Sequence, residues 1–263
     1  MKFSDLLNIG PGDKDPKEST IAKEMRILAK RNLPYDNKNA LDIIKNVSKQ
    51  TGISPSLLMS SAFQEGMNKA ILYPDEVSTA YVNAEKSGEM TGEYPVDGFY
   101  NYGIDQFDKY LPGIQKDLPK GFEQRYKTYK AKNEQGDDIN TVAFKTNEDA
   151  LFVKSLILRN ALAEVDAYSK EKGVTLDETA RGYLALAKYN SRQENFPIMF
   201  DEISKAKDQK KFISEGQTRR KGVHTNIYPR IENMAVAEEL LNPPIVPPVV
   251  EQPVLPQPEI VKQ

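Results

Sequence analysis

Hydrophobic positions recur at helical spacing along most of the chain. From 19 to about 31, Ile21, Met25, Ile27 and Leu28 form one apolar stripe, which predicts an amphipathic helix. From about 39 to 51, Ala40, Leu41, Ile43, Ile44 and Val47 do the same, and Gly52 stops the helix. Ser54-Pro55 is the clearest start signal, a serine N-cap with proline at the first helical position. The helix it opens carries Leu58, Ala62 and Glu65 on one face and ends at Gly66. Residues 107 to 114 and the highly charged 120 to 133 also read as helices, followed by a turn at Gln135-Gly136-Asp137-Asp138. Leu151, Phe152, Leu156, Leu162 and Val165 predict a long helix from 147 to about 172. Another spans 176 to 190, with Ala180, Tyr183, Leu184, Leu186 and Ala187. Residues 196 to 203 are apolar enough to be core, 205 to 221 read as a basic solvated face or loop, and 228 to 241 form a final helix.

Some stretches break the period. Between 66 and 93, Tyr81, Val82 and Ala84 suggest a short helix and 86 to 93 a loop. Residues 94 to 107 hold five aromatics and two glycines without helical spacing, so a loop or short hairpin across the Glu65 helix is expected. Residues 1 to 17 form an irregular lead-in through Gly10, Pro11, Gly12 and Pro16. From Asn242 onward the chain holds seven of its 17 prolines and no packing periodicity. The chain thus divides into a lead-in (1–17), one helical domain (18–241) and a proline-rich tail (242–263). Residues 243 to 263 suit a linker end or a docking peptide for a protein partner.

Composition narrows the chemistry. With 39% hydrophobic residues, the chain can build a real core. Lys plus Arg is 36 against 38 Asp plus Glu, without the basic excess of a dedicated nucleic-acid binder. There is no Cys and a single His, which removes disulfides, thiolate sites and imidazole-rich metal sites. The acids near 137 do not fit a calcium loop, and neither a metal nor a cofactor is expected. The first residues hold no apolar run of signal-peptide kind, and no stretch approaches the ~20 apolar residues of a membrane span. Phosphate-binding, dinucleotide-binding and nucleophile-elbow motifs are absent. His224 reads as a surface or structural residue. Carboxylate chemistry remains.

Glu65 is the carboxylate best placed for it. It lies on the inward stripe at a helix C-terminus, where partial burial and the helix dipole both favour the protonated form. Such a group can act as a general acid. Exchange for glutamine is then expected to leave the fold intact or slightly more stable. The alternative is a glutamate at a frayed helix end, reaching into water.

Three separated segments follow one another: the helix ending in Glu65, the loop Tyr102-Gly103-Ile104-Asp105-Gln106-Phe107, and Tyr183-Leu184-Ala185-Leu186-Ala187-Lys188-Tyr189-Asn190-Ser191. Their order and spacing resembles the lytic transglycosylases and goose-type lysozymes of the lysozyme-like superfamily. Tyr228-Pro229-Arg230-Ile231 looks like a later element of that family, and the resemblance covers roughly 40 to 235. It implies a mainly α, lysozyme-like helical domain with a short loop or β-hairpin region beside the active-site helix. It also implies cleavage of the bond between N-acetylmuramic acid and N-acetylglucosamine in peptidoglycan, with Glu65 as acid and base. Tyr102, Gln106, Tyr189 and Asn190 would contact or support the substrate. A hydrolase would need a second carboxylate, for which Asp97 and Asp105 are the candidates; a transglycosylase would not. Gly66 stands where the family usually has serine, Asp105 replaces an apolar residue, and Arg192 stands where glycine is common. These departures bear on activity more than on fold. A bacteriophage product acting at the bacterial cell wall, virion-borne or as an endolysin, fits the whole. The competing readings are an inactive lysozyme-like component of a virion or secretion assembly, and a helical scaffold docked through its tail.

Overall fold

In the computed structural model, which describes residues 19–133, 135–190 and 194–243, local caps start and stop most of the helices. The lead-in and all but the first residues of the proline-rich tail lie outside the described residues. Helix α1 (Thr20–Leu28) begins where Ser19 Oγ accepts from the Ala22 N–H at 3.0 Å. Asn39 caps α2 (Ala40–Thr51), and Gly52 ends it in the left-handed region at φ 74°. Ser54 and Pro55 open α3 (Pro55–Gln64), whose residues Ser56 to Phe63 are all buried. A helix enclosed on every side belongs to the core, and α3 is the axis on which the others pack. Helix α12 (Lys221–Leu241) runs against α3, with α2 and the long α8 (Asn147–Lys172) also in contact. Helix α9 (Glu178–Asn190) lies along α8 and touches α12.

The remaining helices are short: α4 (Met67–Leu72), α5 (Thr79–Lys86), α6 (Gly98–Tyr102), α7 (Phe107–Ile114), α10 (Asn195–Ser204) and α11 (Gln209–Ser214). The described residues also hold a three-stranded antiparallel sheet, in the order β1 (Val96–Asp97), β3 (Asp138–Phe144), β2 (Tyr126–Lys132). The fold is mainly α with a small sheet. No described helix is long and apolar enough to cross a membrane.

Four expectations are corrected. Residues 126 to 132 form a strand and not part of a helix, paired with β3 from Tyr126↔Phe144 to Lys132↔Asp138. Lys130 and Lys132 of this highly charged stretch alternate with Tyr129 and Ala131, which turn inward onto Tyr81 and Ala84 in a small second core. Residues 94 to 107, expected as a loop or short hairpin, hold β1 and then α6, which Asp97 caps, before a loop at 103 to 106; the hairpin of the fold is β2–β3. The last helix starts at Lys221, seven residues before the expected point, and continues through Pro229. Ile27, expected to face inward, is 65% exposed.

Candidate active site around Glu65

Glu65 is the C-cap of α3, with φ −101° and ψ 9°. Gly66 follows at φ 114°, where a Cβ would lie 3.0 Å from the Asn101 carbonyl oxygen. The close approach of α6 thus explains glycine where the resembled family has serine. The Glu65 side chain is 9% exposed, and three other elements supply its partners. Lys154, in the N-terminal third of α8 and fully buried, donates to Oε2. Arg230 of α12 donates from Nη2 to Oε1 at 3.2 Å, and its other terminal nitrogen donates to the Asn226 carbonyl. The Tyr189 hydroxyl, near the end of α9, lies 3.2 Å from Oε2 and 3.3 Å from the Gly103 carbonyl. Lys154 Nζ also donates to that hydroxyl at 3.3 Å and sits 4.8 Å from the ring centre.

Gly103 closes the site from above. It ends α6 at φ 62°, and a Cβ there would fall 2.8 Å from Glu65 Oε2. A residue with any side chain cannot lie that close without moving the carboxylate.

The electrostatics differ from the expectation of an isolated, half-buried carboxyl. Each Glu65 oxygen has a cationic partner. Burial pushes the Lys154 ammonium below its ordinary range; Glu65 opposes that shift and Arg230 adds to it. Burial, then the Glu65 charge, raises the Tyr189 phenol well above its ordinary value. Tyr110 is pushed up to about 12 by burial, then by Asp105 and Glu65. Both phenols therefore remain protonated donors at neutral pH.

The other sequence candidates separate clearly. Asp105 is partly buried, and its charge adds to the raised values of both Tyr110 and Tyr189. Asp97 is fully buried and committed elsewhere: it accepts from Ser78 N–H at 2.8 Å, Phe99 N–H at 3.1 Å and the Tyr129 hydroxyl. It is a structural cap, not a base facing Glu65. Tyr102 is also fully buried, donating to Asn147 Oδ1 at 2.6 Å, and supports the loop rather than meeting a substrate. Gln106 stands before α7 at φ 53°, a left-handed conformation that costs a non-glycine residue energy. Asn190 is exposed, with its amide donating back to the Leu186 carbonyl at 3.1 Å. Arg192 lies outside the described residues.

Tyr110 and Tyr189, with ring centres 5.8 Å apart, also border a groove of about 180 Å³ between α7, α8 and α9. Lys109, Asn160, Glu164 and Lys188 give it a polar rim. Among the described residues, no cluster of three or more His, Cys, Asp or Glu could hold a metal. His224 is structural: its Nδ1 lies 2.9 Å from the Tyr183 hydroxyl, and its ring stacks on Tyr228.

Sequence reasoning did not single out Lys154 or Arg230 as Glu65 partners. A signal for Lys154 was present, since it is the one charge in Ala-Leu-Phe-Val-Lys-Ser-Leu-Ile-Leu, and a charge inside so apolar a run needs a buried counter-charge.

Asp97→Asn separates the structural role from a catalytic one. It is expected to cost about 1–2 kcal/mol, through weakened capping and one poorly matched buried donor. The wall lysis that the resemblance implies should be unchanged per folded molecule. Denaturant melts and a cell-wall turbidity assay measure the two; a hundredfold loss of lysis in folded protein would restore Asp97 as a base.

Comparison of the chain with protein-family models, with curated proteins and with solved structures yields no match.

Proposed function

We propose that the chain cleaves the glycan strands of peptidoglycan as a lytic transglycosylase, with Glu65 as the single acid and base. The observation that carries this reading is convergence. The end of α3, the loop at Gly103 and the end of α9, far apart in sequence, meet at one carboxyl oxygen. In this reaction Glu65 protonates the glycosidic oxygen as the C–O bond breaks, and the electron pair leaves with that oxygen. The N-acetyl group of the muramic acid assists at the anomeric carbon. Glu65 then takes the proton from the 6-hydroxyl of the same sugar as a 1,6-anhydro ring closes. The Tyr189 hydroxyl and the Lys154 ammonium hold Oε2 in place, with Gly103 packed against it, which is where a misplacement of about 1 Å costs most. Water enters the products only along a hydrolytic route. That route needs a second carboxylate about 6.5–9.5 Å from Glu65, and Asp105 is the remaining candidate. A wall-penetrating or lysis protein of a bacteriophage, with a partner docked on 243 to 263, fits this activity.

Zymography on purified peptidoglycan tests the reading, with mass spectrometry of the products. The expected product is a 1,6-anhydromuropeptide, lighter by one water than the hydrolytic product. Reducing-end muramic acid as the main product would instead make the chain a lysozyme using Asp105. A second reading, an inactive lysozyme-like component of a virion or secretion assembly, is favoured by the cation on each Glu65 oxygen. Absence of any cleavage on the zymogram overturns the enzyme reading and leaves that component or a helical scaffold docked through its tail.

A further inference from the structure

Lys154 transfers no proton in the mechanism above, although its side chain is fully enclosed and ends on the catalytic oxygen. The elements packed around it turn Glu65, Arg230 and Tyr189 toward it, with Tyr110 and Asp105 one step further out. With no exposed surface, the ammonium exchanges its proton only with the groups it touches. Of these, Tyr189 offers a weakly basic phenol oxygen and Glu65 a carboxylate. Burial penalises both ions of the pair, so a neutral amine beside a neutral acid comes within reach of the charged pair. Arg230 behaves differently, because a guanidinium does not release its proton in proteins. It fixes Oε1 and leaves Oε2 to exchange.

We propose that Lys154 is the positioning residue that supplies Glu65 with a transferable proton, a role that rests on the glycan-cleavage reading. One N–H bond of the ammonium breaks and an O–H bond forms at Oε2, giving a neutral amine and a carboxylic acid. The acid passes that proton to the glycosidic oxygen as the C–O bond breaks. The carboxylate then accepts the proton of the attacking 6-hydroxyl and hands it back to the amine, so the pair ends as it began. Arg230 keeps its charge throughout. One proton, shared between two groups, stays in the pair until neither the amine nor the carboxylate holds it.

The test is the pH dependence of kcat/KM on soluble peptidoglycan fragments for the full chain and for Lys154→Met and Lys154→Arg, with thermal melts to establish folding. The wild type should remain active above neutral pH. In Lys154→Met the alkaline limb should move about 2 pH units toward acid, since the carboxyl alone must then hold the proton. Lys154→Arg keeps the charge but locks the proton, and should lose about 100-fold at neutral pH while folded. It carries the test if the methionine variant does not fold. An alkaline limb shared by wild type and Lys154→Met, or wild-type rates in Lys154→Arg, overturns the role of Lys154 alone. An inactive wild type overturns the glycan-cleavage reading and this role with it.

Discussion

Glu65→Gln is expected to abolish glycan cleavage and to cost about 3–5 kcal/mol of folding stability. Loss of cleavage follows from chemistry, since an amide cannot transfer the proton. The stability cost follows from its partners. Lys154 is fully buried and the Arg230 side chain is 9% exposed, and glutamine leaves both cations without a counter-charge. This reverses the expectation from sequence, where a lone half-buried carboxyl made glutamine neutral or stabilising. The pH dependence follows from Lys154, whose folded value lies below its unfolded one. Between the two values the unfolded chain binds more protons, so stability rises with pH toward the ordinary lysine value of 10.5. Removing Glu65 removes the influence that holds the folded value up, and the window opens at lower pH in the variant. The gap between wild type and Glu65→Gln should therefore be widest near neutral pH and narrow toward pH ~10. Denaturant melts of both proteins across that range, beside a turbidity assay on cell walls, measure it. A gap under about 1 kcal/mol would show the cations compensated elsewhere, and wild-type lysis by the variant would remove Glu65 as the catalyst.

Gly103→Ala is expected to lower lysis about 100-fold while leaving a folded protein. Two effects add at this position. The left-handed backbone at φ 62° costs an alanine about 1–2 kcal/mol. The new Cβ would fall 2.8 Å from Oε2 and 3.3 Å from the carboxyl carbon of Glu65, so the carboxylate must leave its contacts with Tyr189 and Lys154. Gly52→Ala is the control. Its φ of 74° imposes a similar backbone cost, but nothing stands within 4 Å of the added Cβ. Lysis lost in the Gly103 variant and kept in the Gly52 variant, with a lower melting temperature for the former, would assign the loss to the displaced carboxylate. Full lysis by Gly103→Ala would mean that the closed position of the loop is irrelevant to turnover.

Where a local rule decides structure, the sequence was legible. Asn39 and Gly52 bound α2, and Ser54 with Pro55 starts α3, because caps are satisfied by residues within a few positions. Strand β2 was not legible, since its inward residues acquire a face only when α5 and β3 are present. Glu65 stood out through its place at a helix end, whereas its cationic partners come from 89 and 165 residues away. Asp97 and Asp105 were indistinguishable as carboxylates on one aromatic stretch. Only tertiary packing shows that Asp97 is consumed by Ser78 and Tyr129 while the charge of Asp105 acts on Tyr110 and Tyr189.

Because Arg230 reaches Glu65 from so far along the chain, the order of synthesis matters. Helix α12 leaves the ribosome after every other described element, and α3 among the first. Until α12 arrives, α3 lacks the helix that covers it and the Arg230 carbonyl that accepts from Ser60. Closing so long a loop costs conformational entropy, which the packing of α12 on α3 must offset. A nascent chain that stops short of Arg230 holds Glu65 and Lys154 without their third partner, and the site is completed only when almost all of the described chain has been made.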